Sequence, residues 1–262
     1  MKVKEIVNAL ERFAPLPLQD GFDNAGLQIG LTEAEATGAL LCLDVTEAVV
    51  EEAVTLGYNL IVSHHPLIFH GLKSITGSNY IERCVVQAIK NGITICSMHT
   101  NMDNVMGGVN FKIAEKLGLI NIRFITPKEE GITPKAGAGI IGELPQKIST
   151  DKFLNIVKQT FNLAFLKHNR YTGKQVQTIA LCGGSGAFLL PQAIMQQADV
   201  FLTGEIKYHD YFGHENDLLM IEIGHYESEQ FTTEIFQQVI KKIMPDLPVK
   251  KTQVNTNPIN YL

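Results

Sequence analysis

Ala39-Leu40-Leu41-Cys42-Leu43, then Thr46 to Thr55, then Asn59-Leu60-Ile61-Val62-Ser63-His64-His65-Pro66 decide the fold. The first stretch is a short apolar run, read as a buried strand. The second reads as a helix, with Thr46 as its N-cap and Glu47 in its first turn. Leu60 to Val62 is the next strand. The alternation continues beyond it. Asn79 to Asn91 reads as a helix closed by Gly92, Ile93 to Ser97 as a strand, and Gly108 to Leu117 as a helix closed by Gly118. Strands alternating with helices of this length predict βαβ units and a largely parallel sheet.

Upstream, Ile6, Val7, Leu10 and Phe13 share one face of a helix from Lys4 to Phe13, which Pro15 and Pro17 end. Downstream, Ile125 to Gly142 holds Pro127, Pro134 and several glycines and reads as a linker. Beyond it stand a strand from Gly139 to Ile141, a helix from Asp151 to Phe161 and a strand from Thr178 to Leu181. The turn Gly183-Gly184-Ser185-Gly186 leads into a helix to Gln197, followed by strands at Val200 to Leu202 and Leu218 to Ile223. A final helix runs from about Tyr226 to Ile243. The expected fold is therefore α/β, with two lobes of mixed, largely parallel sheets flanked by helices. Residues 1–125 form the first lobe and 126–262 the second, with the last helix free to pack on the first. Strand-Ser63-His64-His65 is faintly echoed by strand-Thr203-Gly204-Glu205, which leaves a duplication open.

The chain has 262 residues, 45% hydrophobic and 19% charged, with a formal net charge of −5. That is an ordinary globular mix. No Lys/Arg run is dense enough for a nucleic-acid face, so direct nucleic-acid binding is not expected. Lys241-Lys242 and Lys250-Lys251 read as a solvated helix end. Cys42, Cys84, Cys96 and Cys182 form no CxxC pair and read as buried free thiols. The first residues lack an apolar h-region, so no secretion signal is expected. No apolar run reaches the roughly 18 residues of a membrane span. A soluble, cytoplasmic protein is expected.

The chemistry gathers at strand ends. Imidazole is the commonest neutral metal ligand, and two neighbours such as His64 and His65 can face two ions. His225 and Glu229 lie four residues apart at a helix start, on one face, after the strand-like Ile221-Glu-Ile. Open α/β sheets place ligand sites at such strand ends. Taken alone, the pair is a weak signal, since such spacing arises by chance and often marks a surface pair. His99-Thr-Asn-Met-Asp103 follows another strand. Asp103 offers a hard oxygen, and His99 a ligand or a supporting donor. The competing reading is a helix-capping loop. Together His64, His65, Asp103, His225 and Glu229 suit Zn²⁺, Mn²⁺, Fe²⁺, Co²⁺ or Ni²⁺. Five ligands exceed the roughly three of a catalytic zinc. They suit two ions about 3.5–4 Å apart with one carboxylate bridging, and Glu229 is the choice for the bridge. A water between such ions becomes hydroxide near neutral pH, the nucleophile of dinuclear hydrolases.

Other positions weigh less. The Gly183 to Gly186 turn either holds an anion on its amides or is simply tight. Glu205, Lys207, Tyr208 and His209 line a pocket or cap a helix. His70, His168 and His214 read as structural or exposed. Asp23 and Asn24 shape a turn, with a pocket role left open. No oriented Ser-His-Asp set includes Ser63, so a serine nucleophile is not expected.

Asp23-Asn-Ala-Gly-Leu-Gln-Ile-Gly30, Ser63-His-His-Pro66, His99-Thr-Asn-Met-Asp103, Thr203-Gly-Glu205 and Gly224-His-Tyr-Glu-Ser-Glu229 stand in this order. In these motifs the chain resembles the Nif-three-like dinuclear metal centre hexameric proteins, also called GTP cyclohydrolase type-two homologues. Some members carry an insert between the lobes; this chain resembles the compact ones. Phe22 stands where the family often has Trp, so an aromatic is retained. The resemblance implies two α/β lobes, a toroidal homohexamer and two divalent ions per chain: zinc, manganese or iron. It places His65 and Asp103 on one ion, His64 and His225 on the other, and Glu229 between them. It implies a metal-dependent hydrolase acting on a small molecule such as GTP, with a metal-bridged hydroxide as nucleophile and His99 or His209 carrying protons. The alternative it leaves open is a non-catalytic metal-binding, regulatory or adaptor protein acting through protein partners.

Overall fold

The computed structural model describes residues 1–128, 135–260 and 262. Its strands, in chain order, are β1 (Gly26–Ile29), β2 (Ala39–Cys42), β3 (Leu60–Ser63), β4 (Thr94–Ser97), β5 (Ile120–Pro127), β6 (Gly137–Ser149), β7 (Lys167–His168), β8 (Gln175–Cys182), β9 (Val200–Thr203), β10 (Leu219–Glu222) and β11 (Val249–Lys251). Its helices are α1 (Val3–Phe13), α2 (Glu47–Leu56), α3 (Tyr80–Lys90), α4 (Thr100–Asn104), α5 (Val109–Leu117), α6 (Thr150–Thr160), α7 (Leu190–Met195), α8 (His225–Glu229) and α9 (Thr232–Ile243). The chain divides into two compact units. One is Met1–Met102 with Thr232–Leu262, and the other is Asp103–Phe231.

The first unit holds a five-stranded sheet in the order β1-β4-β3-β2-β11. β11, β2, β3 and β4 run parallel, and β1 closes the edge antiparallel to β4. Every residue of β2, β3 and β4 is buried. That is the unbroken apolar run of strands covered on both faces, which explains why no alternation marks them in the sequence. Leu40, Ile61 and Ile95 stand in one row across these strands. They share a core with Val49, Val50 and Ala53 of α2 and with Val85 and Ala88 of α3. Thr46 caps α2 by accepting from the Val49 amide at 3.3 Å, and Gly57 ends it at φ 69°. α9 packs on α1, β2 and β11.

The second unit holds a six-stranded sheet in the order β5-β6-β8-β9-β10-β7. β8, β9 and β10 are parallel; the remaining pairs are antiparallel. Cys182, Leu181 and Ala180 of β8 thus align with β9, whose neighbour β10 leads into α8.

Several expectations need correction. Ile125 to Gly142 is not a linker where it is described. Its ends belong to β5 and β6, which pair from Arg123↔Ile141 to Pro127↔Gly137. Residues 129–134 of that stretch lie outside the described residues. The glycine that suggested a linker marks a close strand approach instead, because a Cβ at Gly137 would lie 2.6 Å from the Thr126 carbonyl oxygen. The units therefore differ from lobes 1–125 and 126–262. Pairing with β6 takes β5 into the second unit and β11 joins the first, while α9 packs on the first unit as the sequence left it free to do. The expected single helix from Tyr226 to Ile243 is two helices, α8 and α9, parted at Gln230-Phe231. β1, β7 and β11 are short edge strands that carried no periodic signal. All four cysteines are free thiols and buried, as expected.

Glu82 shows how the first unit holds a buried charge. Its carboxylate accepts from the Thr76 amide at 2.8 Å, the Ser78 amide at 3.0 Å, both of their hydroxyls at 2.9 Å and Asn79 Nδ2 at 2.9 Å. Asn79 in turn caps α3 by accepting the Glu82 amide at 2.9 Å. The Thr76 amide, then the Ser78 donors, hold the carboxyl down at about 2. A carboxyl depressed on folding stabilises the protein above its unfolded pKa and stops doing so as pH falls through its folded value. Glu82→Gln is therefore expected to lower the melting temperature at pH 7. The gap to wild type should shrink as pH drops from about 4.3, the ordinary Glu value, towards 2. Calorimetry across that range checks it.

Candidate metal centre

In the first unit, strand register gathers the donors. Cys42, Ser63 and Ser97 form one rung of the parallel sheet, and the Ser63 and Ser97 hydroxyls are 2.8 Å apart. Two residues past that rung stand Asp44, His65 and His99. His65 Nδ1 donates to Asp44 Oδ1 at 2.8 Å. The His65 and His99 ring centroids are 5.4 Å apart, and His64 lies 4.8 Å and 5.3 Å from them. β1 adds a fourth element. Because Gly26 pairs with Ser97 in antiparallel register, continuing the ladder sets Asp23 opposite Thr100. Asp23 accepts from His99 Nδ1 at 2.7 Å, from the Thr100 amide at 3.0 Å and from the Thr100 hydroxyl.

These partners settle the tautomers. His64 Nδ1 sits 2.9 Å from the Met98 carbonyl oxygen, which can only accept. Burial pushes Asp23 and Asp44 up, but the hydrogen bonds they accept outweigh it. His99 and Thr100 hold Asp23 at about 2, and His65 with Thr256 holds Asp44 below the usual carboxylate range. Both carboxylates are thus ionised acceptors near neutral pH. Each of these Nδ1 atoms faces an oxygen that accepts, so it is the nitrogen that donates in His64, His65 and His99. An oxygen behind each Nδ1 is the usual support of a metal-binding histidine. One ring nitrogen from each of the three lies within 4.8 Å of the others, a group that could hold a metal ion.

The second unit repeats the construction. Cys182, Thr203 and Glu222 form a rung, and two residues further stand Gly184, Glu205 and Gly224. α8 starts there. His225 Nε2 lies 3.1 Å from Glu229 Oε2 one turn later. His225 Nδ1 donates to Glu205 Oε1 at 2.8 Å, and Glu205 Oε2 accepts from the Ser185 hydroxyl at 2.8 Å. Burial raises the Glu205 carboxyl; Ser185 and His225 more than reverse that, and its pKa is lowered. The contact is half exposed, so it orients the ring more than it stabilises the fold. Glu229 is buried. Asp103 lies in α4, and its carbonyl accepts from Asn110 Nδ2 at 3.1 Å. Asn110 Oδ1 accepts from the Gly183 amide at 2.9 Å, which ties the Asp103 turn to the glycine turn beside Glu229.

That glycine turn is not an anion cradle. The Gly183, Gly184 and Gly186 amides already donate to Asn110, Ser228 and Thr203. Gly184 is required for another reason. Its φ is +58°, and a Cβ there would collide with Glu229 Oε1.

The remaining candidates fall elsewhere. Ser63 donates to the His65 carbonyl and is structural. His209 is exposed on the 3-10 turn Tyr208–Tyr211, edge-on to the Tyr208 ring and tilted beside that of Phe212. With Ser185, Phe188, Glu205, Lys207 and Glu222 it lines a cavity of about 820 Å³. His168 and His214 bond the Asn169 carbonyl and Asp217, and His70 packs on Phe69. Asn24 Nδ2 donates to the Ile68 carbonyl at 2.6 Å, tethering the loop that follows His65. Of the three orienting carboxylates, Asp44 escaped the sequence reading, while Asp23 and Glu205 were singled out there without this orienting role. Asp44 carried a usable signal, since it follows a strand that neighbours the one before His65.

Fold and donors define a two-unit α/β protein with histidine and carboxylate groups of the kind that hold divalent cations. The family model described as Duf34/NIF3 (NGG1p interacting factor 3) matches residues 1–258, and the chain belongs to that family. A Lactococcus lactis relative called "GTP cyclohydrolase 1 type 2 homolog" is 34% identical over 98% of each chain. A Clostridium perfringens relative of the same name is 33% identical over the full length of both. The crystal structure of a Staphylococcus aureus protein superposes with a TM-score of 0.90 at 28% identity, covering 100% of this chain and 99% of that one. No helix among the described residues is long and apolar enough to cross a membrane.

Gly184→Ala is expected to cost about 1–3 kcal/mol, from the left-handed backbone and the displaced Glu229. Urea unfolding beside a control such as Gly71→Ala, where a Cβ meets open space, measures it. Equal stability of the two variants would contradict the tight fit.

Proposed function

We propose that His64, His65, Asp103, His225 and Glu229 hold two divalent ions, zinc, manganese or iron, with Glu229 bridging, in a metal-dependent hydrolase. The pre-orientation of the donors carries this reading. Nδ1 of His64, His65 and His225 each donates to an oxygen, the usual support that orients a metal-binding histidine. Imidazole and carboxylate donors suit borderline divalent ions and exclude any need for thiolate. Two bound ions would supply a water activated as hydroxide.

The chain's own residues supply the rest. Asp44 and Glu205 keep His65 and His225 in the ligating tautomer. Glu229 is held against Gly184, whose missing Cβ makes room for its carboxylate. The cavity of about 820 Å³ is large enough for a nucleotide, with Lys207 as a cation for phosphate and His209 as a proton carrier. The relatives' name brings GTP to this chain as substrate, opened at the carbon between the two imidazole nitrogens of guanine. The chain acts in the cytoplasm as a homohexamer.

Protein purified without chelators is expected to hold about two ions per chain by elemental analysis, and to consume the GTP chromophore only when metal is present. Glu229→Gln should abolish that turnover. Metal content near zero would sink the ion reading. Full metal content with no turnover, or equal turnover in the variant, would sink only the cyclohydrolase. The family description names an interaction factor, which favours a partner-binding role in that second case. Light scattering should return about six times the 29.0 kDa chain mass.

A further inference from the structure

We propose that Thr256 is a positioning residue of the candidate metal centre: its hydroxyl locks the Asp44 carboxylate that orients His65. The proposal rests on the reading of His65 as an ion-binding residue. It makes the segment after β11 part of the site, although Thr256 stands 212 positions from Asp44 in the chain.

Three observations carry it. First, Asp44 is held at both oxygens. Oδ1 accepts from His65 Nδ1 at 2.8 Å, and Oδ2 accepts from the Thr256 hydroxyl at 3.0 Å. The terminal torsion of an aspartate is broad, so a carboxylate bonded at one oxygen can swivel. A second bond on the other oxygen fixes its plane, and with it the direction in which the His65 ring is held.

Second, the same unit occurs at the other two strand-end histidines backed by a carboxylate. Asp23 accepts from His99 through Oδ1 and from the Thr100 hydroxyl through Oδ2. Glu205 accepts from His225 through Oε1 and from the Ser185 hydroxyl through Oε2. Imidazole, carboxylate and hydroxyl thus recur as one construction. Thr100 adjoins His99 and Ser185 belongs to the glycine turn, whereas Thr256 is brought in from a distant segment.

Third, that segment is anchored on both sides of Thr256. β11 runs beside β2, and the Thr252 amide extends the pairing to the Leu41 carbonyl at 2.8 Å. The Thr252 hydroxyl and the Gln253 amide, the latter at 3.0 Å, donate to the Glu52 carboxylate of α2. Val254 packs against the core of the first unit. Asn255 Oδ1 then accepts from the Asn257 amide at 3.1 Å, an Asx turn centred on Thr256. Asp44 is partly exposed, so losing the hydroxyl leaves the fold intact and frees the carboxylate.

The test compares full-length wild type with Thr256→Val, which removes the hydroxyl at nearly constant shape, and Thr256→Ser, which keeps it. In chelator competition on metal-stripped protein, Thr256→Val is expected to weaken Co²⁺ about 10-fold and Thr256→Ser to stay within about twofold of wild type, as for loss and retention of a support behind a ligand. A second readout needs no metal. With ¹⁵N-labelled histidine, the His65 Nδ1–H proton signal should be sharp in wild type and Thr256→Ser and broadened by solvent exchange in Thr256→Val. The His225 signal, backed by Glu205 and Ser185, should be the same in all three. An unchanged His65 signal or an unchanged Co²⁺ affinity in folded Thr256→Val would overturn the proposal, as would a Thr256→Ser chain no better than the valine variant. If wild type takes up no Co²⁺, the ion reading fails, and the His65 signal still decides whether Thr256 positions the ring. Should Thr256→Val fail to fold, Thr256→Ala takes its place under the same outcomes.

Discussion

The structure depends on a hydrogen bond from an imidazole Nδ1–H to an oxygen at a neighbouring strand end. Met98 supplies that oxygen for His64, Asp44 for His65, Asp23 for His99 and Glu205 for His225. Each bond fixes one tautomer and one ring plane. Its contribution to stability is small where it is exposed, as at Glu205. Its consequence is chemical, because it decides which nitrogen donates.

Parallel register makes these bonds available. Strands in a parallel sheet end at one level, so residues two past a shared rung become neighbours across strands. The first unit applies this to Asp44, His65 and His99, and the second to Gly184, Glu205 and Gly224. The roles are exchanged between the two. In the first unit the histidine follows the inner strand and the carboxylate its neighbour; in the second the carboxylate follows the inner strand. The faint sequence echo between Ser63-His64-His65 and Thr203-Gly204-Glu205 reflects this shared strand-end position, whatever its origin.

Much of this was legible before the fold. β2, α2, β3, α3 and β4 follow from apolar runs, caps and spacing, and the strand-end positions of His64, His65 and His225 follow from them. What could not be read depends on edges and on register. β1 has four residues, an exposed Leu27 and no clear alternation, yet its antiparallel pairing with β4 is what brings Asp23 to His99. β5 and β6 hid behind a stretch rich in Pro and Gly, in which Gly137 serves close strand approach. The break between α8 and α9 has no sequence punctuation: Gln230-Phe231 is neither Gly nor Pro. It marks where the chain leaves one unit for the other, a choice made by packing.

The central claim is that oxygen-backed imidazoles, rather than the buried thiols of Cys42, Cys84, Cys96 and Cys182, hold the metal. X-ray absorption at the edge of the metal that co-purifies tests this most directly. The account predicts a first shell of nitrogen and oxygen near about 2.0–2.1 Å, as for histidine-bound zinc, with the outer-shell scattering of imidazole rings. A sulfur shell near about 2.3 Å, or a first shell without imidazole scattering, would contradict it.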